Sequence, residues 1–98
     1  MKRIALLLAL VPLAAQAEDH RIIQKGRRFA PAEITIKAGD SLTFTNDDEF
    51  IHQVYSDGLF DSDEKVPGQT LSQGFTRSGT FEVHCHIHPK MKLVVHVN

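Results

Sequence analysis

The chain has one cysteine, Cys85, so no intramolecular disulfide can staple it. Beyond residue 17 it has no apolar run long enough to cross a bilayer, so stable membrane insertion is not expected. The same region lacks any convincing 3.6-residue apolar period, which leaves nothing to build an amphipathic helix from. Positive charge is not in excess either. The formal net charge is −1, which argues against a nucleic-acid partner. Internal repeats, low-complexity tracts and linkers are missing as well, so a single domain is expected.

What is there begins with a leader. Lys2 and Arg3 form a short positive region, Ile4 to Ala14 is an apolar run broken only by Pro12, and Ala15-Gln16-Ala17 is an A-x-A site. This predicts a secretory signal over residues 1–17, cleaved before Glu18, and hence a periplasmic protein. The remaining domain, residues 18–98, is small, and small exported domains usually add a staple to a marginal core. A lone cysteine in an exported protein reads as a reactive thiol, an intermolecular bridge or a metal ligand. A bound metal would supply the staple. Charge is uneven along the chain: Arg21, Lys25, Arg27 and Arg28 make the start basic, and Asp47, Asp48, Glu49, Asp57, Asp61, Asp63 and Glu64 make the middle acidic. The acidic run reads first as solvated loops.

The apolar period after the leader is two, the period of strands. Arg21 to Gln24 reads as a first strand. Glu33-Ile34-Thr35-Ile36-Lys37 alternates, Ala38-Gly39-Asp40 is a turn, and Ser41 to Thr45 alternates again with Leu42 and Phe44 on one face. Short strands follow over Gln53–Ser56, Thr70–Thr76, Thr80–Cys85 and Lys92–Val97. About seven short strands with regular turn signals predict an all-β sandwich. Parity matters at the end of the Thr80 strand. Phe81, Val83 and Cys85 share one face, so the thiol points to the core, and His84 points away. In the last strand Leu93, Val95 and Val97 share the core face, which puts His96 at the surface.

Cys85, His88 and Met91 lie three residues apart in succession. A thiolate, an imidazole and a thioether make a soft donor set, and soft sulfur and nitrogen donors select copper. A second imidazole has to come from elsewhere in the chain. Here the sequence resembles a known family. Phe29-x-Pro31-x-x-Ile34-x-Ile36-x-x-Gly39-Asp40-x-Leu42-x-Phe44-x-Asn46-x-Asp48-x-x-x-His52-x-Val54 is similar to the first half of a small cupredoxin. Gly79-Thr80-Phe81-x-Val83-x-Cys85-x-x-His88-Pro89-x-Met91-x-Leu93-x-Val95 is similar to the second half. The compact loop from Cys85 to Met91 most resembles amicyanin and methylamine-utilisation-type proteins, with plastocyanin-like proteins related.

The resemblance implies a cupredoxin-like Greek-key β-sandwich and one type 1 copper ion held by His52, Cys85 and His88, with Met91 axial. It implies that Asn46 ties the two ligand loops together and that the Gln53 N–H points at the Cys85 sulfur. His86 stands where many relatives have a small hydroxyl residue, and Ile87 where many have Pro. The function implied is a monomeric periplasmic electron shuttle docking transiently with redox partner proteins near His88. No nucleophile–base pair or open metal position is visible, so no enzymatic activity is expected. The alternative is a protein that delivers or buffers copper, which the adjacent His84 and His86 keep open. A multicopper-oxidase reading of His84-Cys85-His86 needs partner domains and more His pairs than this chain has. Zinc fits the Cys-Met pairing less well than copper does.

Overall fold

The computed structural model describes residues 16–98, so residues 1–15 of the expected leader lie outside it. The described residues form nine strands and no helix: β1 (Asp19–Gln24), β2 (Phe29–Ala30), β3 (Glu33–Ile36), β4 (Ser41–Asn46), β5 (Val54–Ser56), β6 (Phe60–Asp61), β7 (Thr70–Gly74), β8 (Gly79–Cys85) and β9 (Lys92–Val97). They make two sheets, ordered β2-β1-β4-β7 and β3-β9-β8-β5-β6. The chain crosses repeatedly between the sheets rather than finishing one before starting the other. Pairing is antiparallel except for β1 with β4 and β3 with β9. The seven expected strands are all present. The two additional ones, β2 and β6, have two residues each and are too short to show alternation.

The alternation read from the sequence is the alternation of burial. In β4, Leu42, Phe44 and Asn46 are buried, and in β9, Leu93, Val95 and Val97 are. In β8, Val83 and Cys85 are buried and His84 is not. Residues opposite each other on the inner faces therefore interdigitate, as packed sheets require. Five of the six phenylalanines form a continuous chain through this core: Phe29, Phe44, Phe60, Phe75 and Phe81, with successive ring centroids 6.0–6.4 Å apart. Phe29 and Phe44 belong to one sheet, Phe60 and Phe81 to the other, so the aromatic chain bridges both. Each tilted or edge-on pair adds about 0.5–1.5 kcal/mol beyond area burial.

Asp40, in the turn before β4, fastens the start of β1. Its carboxylate accepts hydrogen bonds from the Lys37 and Glu18 backbone N–H groups and from His20 Nε2, each at 3.0 Å. The Lys37 and Glu18 amides, then His20, lower its pKa from 3.8 to about 2. At the other end of β1, Gly26 and Arg27 form the two-residue loop of the β1–β2 hairpin. Both have positive φ, 66° and 58°, and Lys25 N–H bonds Arg28 O across the loop. Positive φ at both central positions matches a type I′ turn, the connection whose twist suits paired strands.

Candidate metal centre

The site sits where β8 ends, at the end of the sandwich reached by the β1–β2 hairpin tip. Cys85 is the last residue of β8, and strand parity turns its side chain inward, where it is 1% exposed. His52 lies just before β5, which pairs with β8 through Val54–Cys85 and Tyr55–His84. This pairing brings the two distant side chains together: His52 Nδ1 is 3.4 Å from Cys85 Sγ. The Gln53 backbone N–H also points at the sulfur, at 3.4 Å. His52 is fully buried, and its main chain makes an isolated bridge with Lys65.

His88 and Met91 lie in the loop between β8 and β9. The strands stay in register on both sides of it, from His84–Lys92 onward, so the loop closes a hairpin. Met91 N–H bonds His88 O at 2.9 Å, and Met91 is buried. The rings of His52 and His88 meet edge-on with centroids 5.4 Å apart. His88 Nε2 is buried with no hydrogen-bond partner. Burial, then the neighbouring His52 and Arg27, pushes the His88 pKa below its usual 6.5, so the ring favours its neutral, ligating form. A buried thiol, two neighbouring imidazoles, a ring nitrogen without a partner and a buried thioether fit a soft cation and leave little for a hard one.

Two residues complete the site: Phe50, not named from the sequence, and Asp48, present in the family-like pattern but given no role there. Phe50 is the one phenylalanine outside the core chain. It packs against both His52 and His88, at 5.5 and 4.9 Å between centroids, and the Arg27 guanidinium lies 5.1 Å above it. Asp48 Oδ2 accepts the His52 Nε2 hydrogen bond at 2.7 Å. Its two carboxylate oxygens also accept the Gly26 and Arg27 N–H groups of the hairpin tip, at 2.6 and 3.3 Å. Burial raises the Asp48 pKa, but the bonds from His52, Gly26 and Arg27 outweigh it and hold the group below its ordinary 3.8. The acid–x–x–x–His spacing was a possible signal, hidden by the acidic run around it.

Asn46 is placed differently from what the resemblance implied. Its Nδ2 donates to Phe50 O and Lys65 O, and its Oδ1 accepts the Asp48 N–H. It braces its own loop and the Lys65 segment rather than the Cys85 loop. The flanking histidines are engaged elsewhere. His84 contacts Glu82, and His86 contacts Asp61 while stacking on Tyr55 at 3.9 Å and 14°. His96, half-buried on the outer face of β9, bonds Glu33. A second group of ligand-type side chains, Glu18, His20 and Asp40, gathers at the opposite end of β1, with donor atoms within 4.8 Å of one another. Those contacts already serve as the strand fastening described above.

Comparison with known proteins fits this arrangement. A family described as a Cupredoxin-like domain matches residues 3–95. The chain belongs to the cupredoxin-like family. It is 30% identical over 76 residues to a plastocyanin of Scenedesmus fuscus, covering 61% of this chain and 74% of that one. It is 34% identical over 71 residues to amicyanin-alpha of Methylorubrum extorquens, covering 66% and 60%. Among the plastocyanins matched, the share of the relative that is covered runs from 50% to 78%. A purple cupredoxin from Nitrosopumilus maritimus superposes with a TM-score of 0.77 at 25% identity, over 82% of this chain and 100% of that one. A reduced amicyanin mutant superposes with a TM-score of 0.76 at 26% identity, over 92% and 88%. The cupredoxin fold expected from the sequence is therefore the fold this chain has.

Proposed function

We propose that this cupredoxin is an electron carrier with one copper ion held by His52, Cys85, His88 and Met91, working as a monomer in the periplasm after cleavage before Glu18. The observation that carries this reading is the approach of His52 Nδ1 and the Gln53 N–H to Cys85 Sγ, both at 3.4 Å, beside a buried thioether. The solved amicyanins it resembles include Cu(I) forms. Copper in this donor set would supply a one-electron Cu(II)/Cu(I) couple. The chain's own part is to hold the donors still in both states. Cys85 and His52 are fixed by strand pairing, and the Gln53 N–H hydrogen-bonds the sulfur, an interaction that tunes potential. Burial of His52, Cys85 and Met91 keeps water out. We read no enzymatic role from these residues.

Electrons would pass through the His88 face. A pocket of about 320 Å³ there is lined by Ile87, His88, Pro89 and Met91, with Arg27 and Lys90 also in its wall. Ile87 is 43% exposed, one of two large apolar side chains so exposed among the described residues. A small apolar face with a charged rim suits a transient redox encounter. Copper loading should give an intense thiolate-to-copper absorption in the visible and a reversible potential. Cys85→Ala should abolish the band, and a band surviving in that variant would remove the ligand assignment. The delivery reading makes a different prediction. If His84 and His86 hand copper on, the double change His84→Ala, His86→Ala should slow transfer to an apo acceptor with the spectrum intact. Their contacts with Glu82, Asp61 and Tyr55 lead us to expect no change.

A further inference from the structure

The β1–β2 hairpin does more than extend a sheet edge. Its tip reaches the end of the sandwich where His52 lies, and its two loop amides both point at one carboxylate. That carboxylate, on Asp48, is 7% exposed and makes one further side-chain contact, the 2.7 Å bond with His52 Nε2. We propose that Asp48, clamped by the Gly26 and Arg27 amides, is the positioning residue for His52, fixing its tautomer and ring plane so that Nδ1 presents a lone pair beside Cys85. The inference rests on the reading of His52 as a copper ligand, but its geometric half stands without it.

A neutral imidazole carries one N–H and one lone pair, and the hydrogen bond at one nitrogen decides which is which. A carboxylate that accepts from the backbone and lies 2.7 Å from Nε2 holds the proton there. Nδ1, 3.4 Å from Cys85 Sγ, is then the acceptor nitrogen. The ring cannot turn easily, because Phe50 packs against it edge-on and Arg27 lies over Phe50. The hairpin thus acts twice. Its backbone holds Asp48, and the Arg27 side chain covers the aromatic ring that walls in both histidines. A carboxylate behind a ligating histidine also strengthens its donation to the metal and favours the higher charge there. In this chain that would lower the potential and slow metal loss.

The test has a part that needs no copper. Long-range proton–nitrogen NMR of the apo protein at neutral pH should show His52 as the Nε2–H tautomer, with that proton protected from exchange. Asp48→Ala should mix the tautomers and weaken Cu(I) retention against a chelator by about 10–100-fold, the usual cost of losing such a partner. Asp48→Asn keeps an oxygen acceptor. It should restore most of the tautomer bias while leaving the potential above the parent's, because the charge is gone. Asp47→Asn, one residue away at the exposed surface, should match the parent in every readout. A parent in the Nδ1–H tautomer would overturn the proposal, even if both Asp48 variants failed to fold. So would an Asp48→Ala protein with unchanged tautomer, retention and potential. A parent without a copper band would end the ligand reading, and the tautomer result would still decide whether Asp48 positions the ring.

Discussion

Met91 is 2% exposed and sits one hydrogen bond from His88. Exchange for leucine conserves volume, so Met91→Leu should cost less than about 1.5 kcal/mol in urea unfolding of the apo protein. It should raise the copper potential in voltammetry, since a weak donor that favours Cu(II) is lost. An unchanged potential would show that Met91 is core and not ligand. Asp40 gives a pH prediction. Its folded pKa, about 2, lies below the unfolded 3.8, so its stabilising contribution is fully present above about pH 4 and is lost as pH falls toward 2. Urea midpoints should therefore drop more steeply between pH 4 and 2 for the parent than for Asp40→Asn. At this scale Cys85, His88 and Met91 stood out as candidates because soft donors at tight spacing are rare and local. Asp48 was not, because its burial depends on a hairpin that docks from a different part of the chain.

Among elements, the strands with three or more residues were legible from their period, since one buried face imposes alternation. The β1–β2 hairpin was not. Its signal was one glycine, Gly26, before an arginine held at φ 58°, a conformation arginine rarely takes. The aromatic chain offers the element-scale prediction. Phe44 touches both Phe29 on β2 and Phe60 on β6, so it joins the two short strands through the core. Phe44→Ala should cost about 3–5 kcal/mol in equilibrium unfolding. The NMR signals of β2 and β6 should broaden before those of β8 and β9. A loss spread evenly over all strands would show that the ring fills space without linking those edges.

At the scale of the whole molecule, the charged side chains in the wall of the His88 pocket, Arg27 and Lys90, are both positive. Two copies exchanging electrons through that face would bring Arg27 and Lys90 against their own kind. Unit charges about 4 Å apart in water repel by about 1 kcal/mol, close to fivefold in rate. Self-exchange, read from NMR line broadening of mixed oxidation states, should therefore rise with salt. Lys90→Gln should raise it several-fold at low salt and flatten the dependence. No effect of either would place the contact on another face. The acidic residues Asp57 and Asp61 lie instead beside Tyr55 and His86.

The position of β9 carries a consequence for how the chain comes into being. It is the last strand in the sequence, yet it lies inside the five-stranded sheet, between β3 and β8. Its Leu93, Val95 and Val97 complete one wall of the core. Until residues 92–97 have left the ribosome, β3 has no neighbour in its sheet and β8 has one edge open. The four-stranded sheet can pair without it, but its inner face then lacks part of the opposing wall. The five-stranded sheet is complete only when β9 fills the gap between β3 and β8.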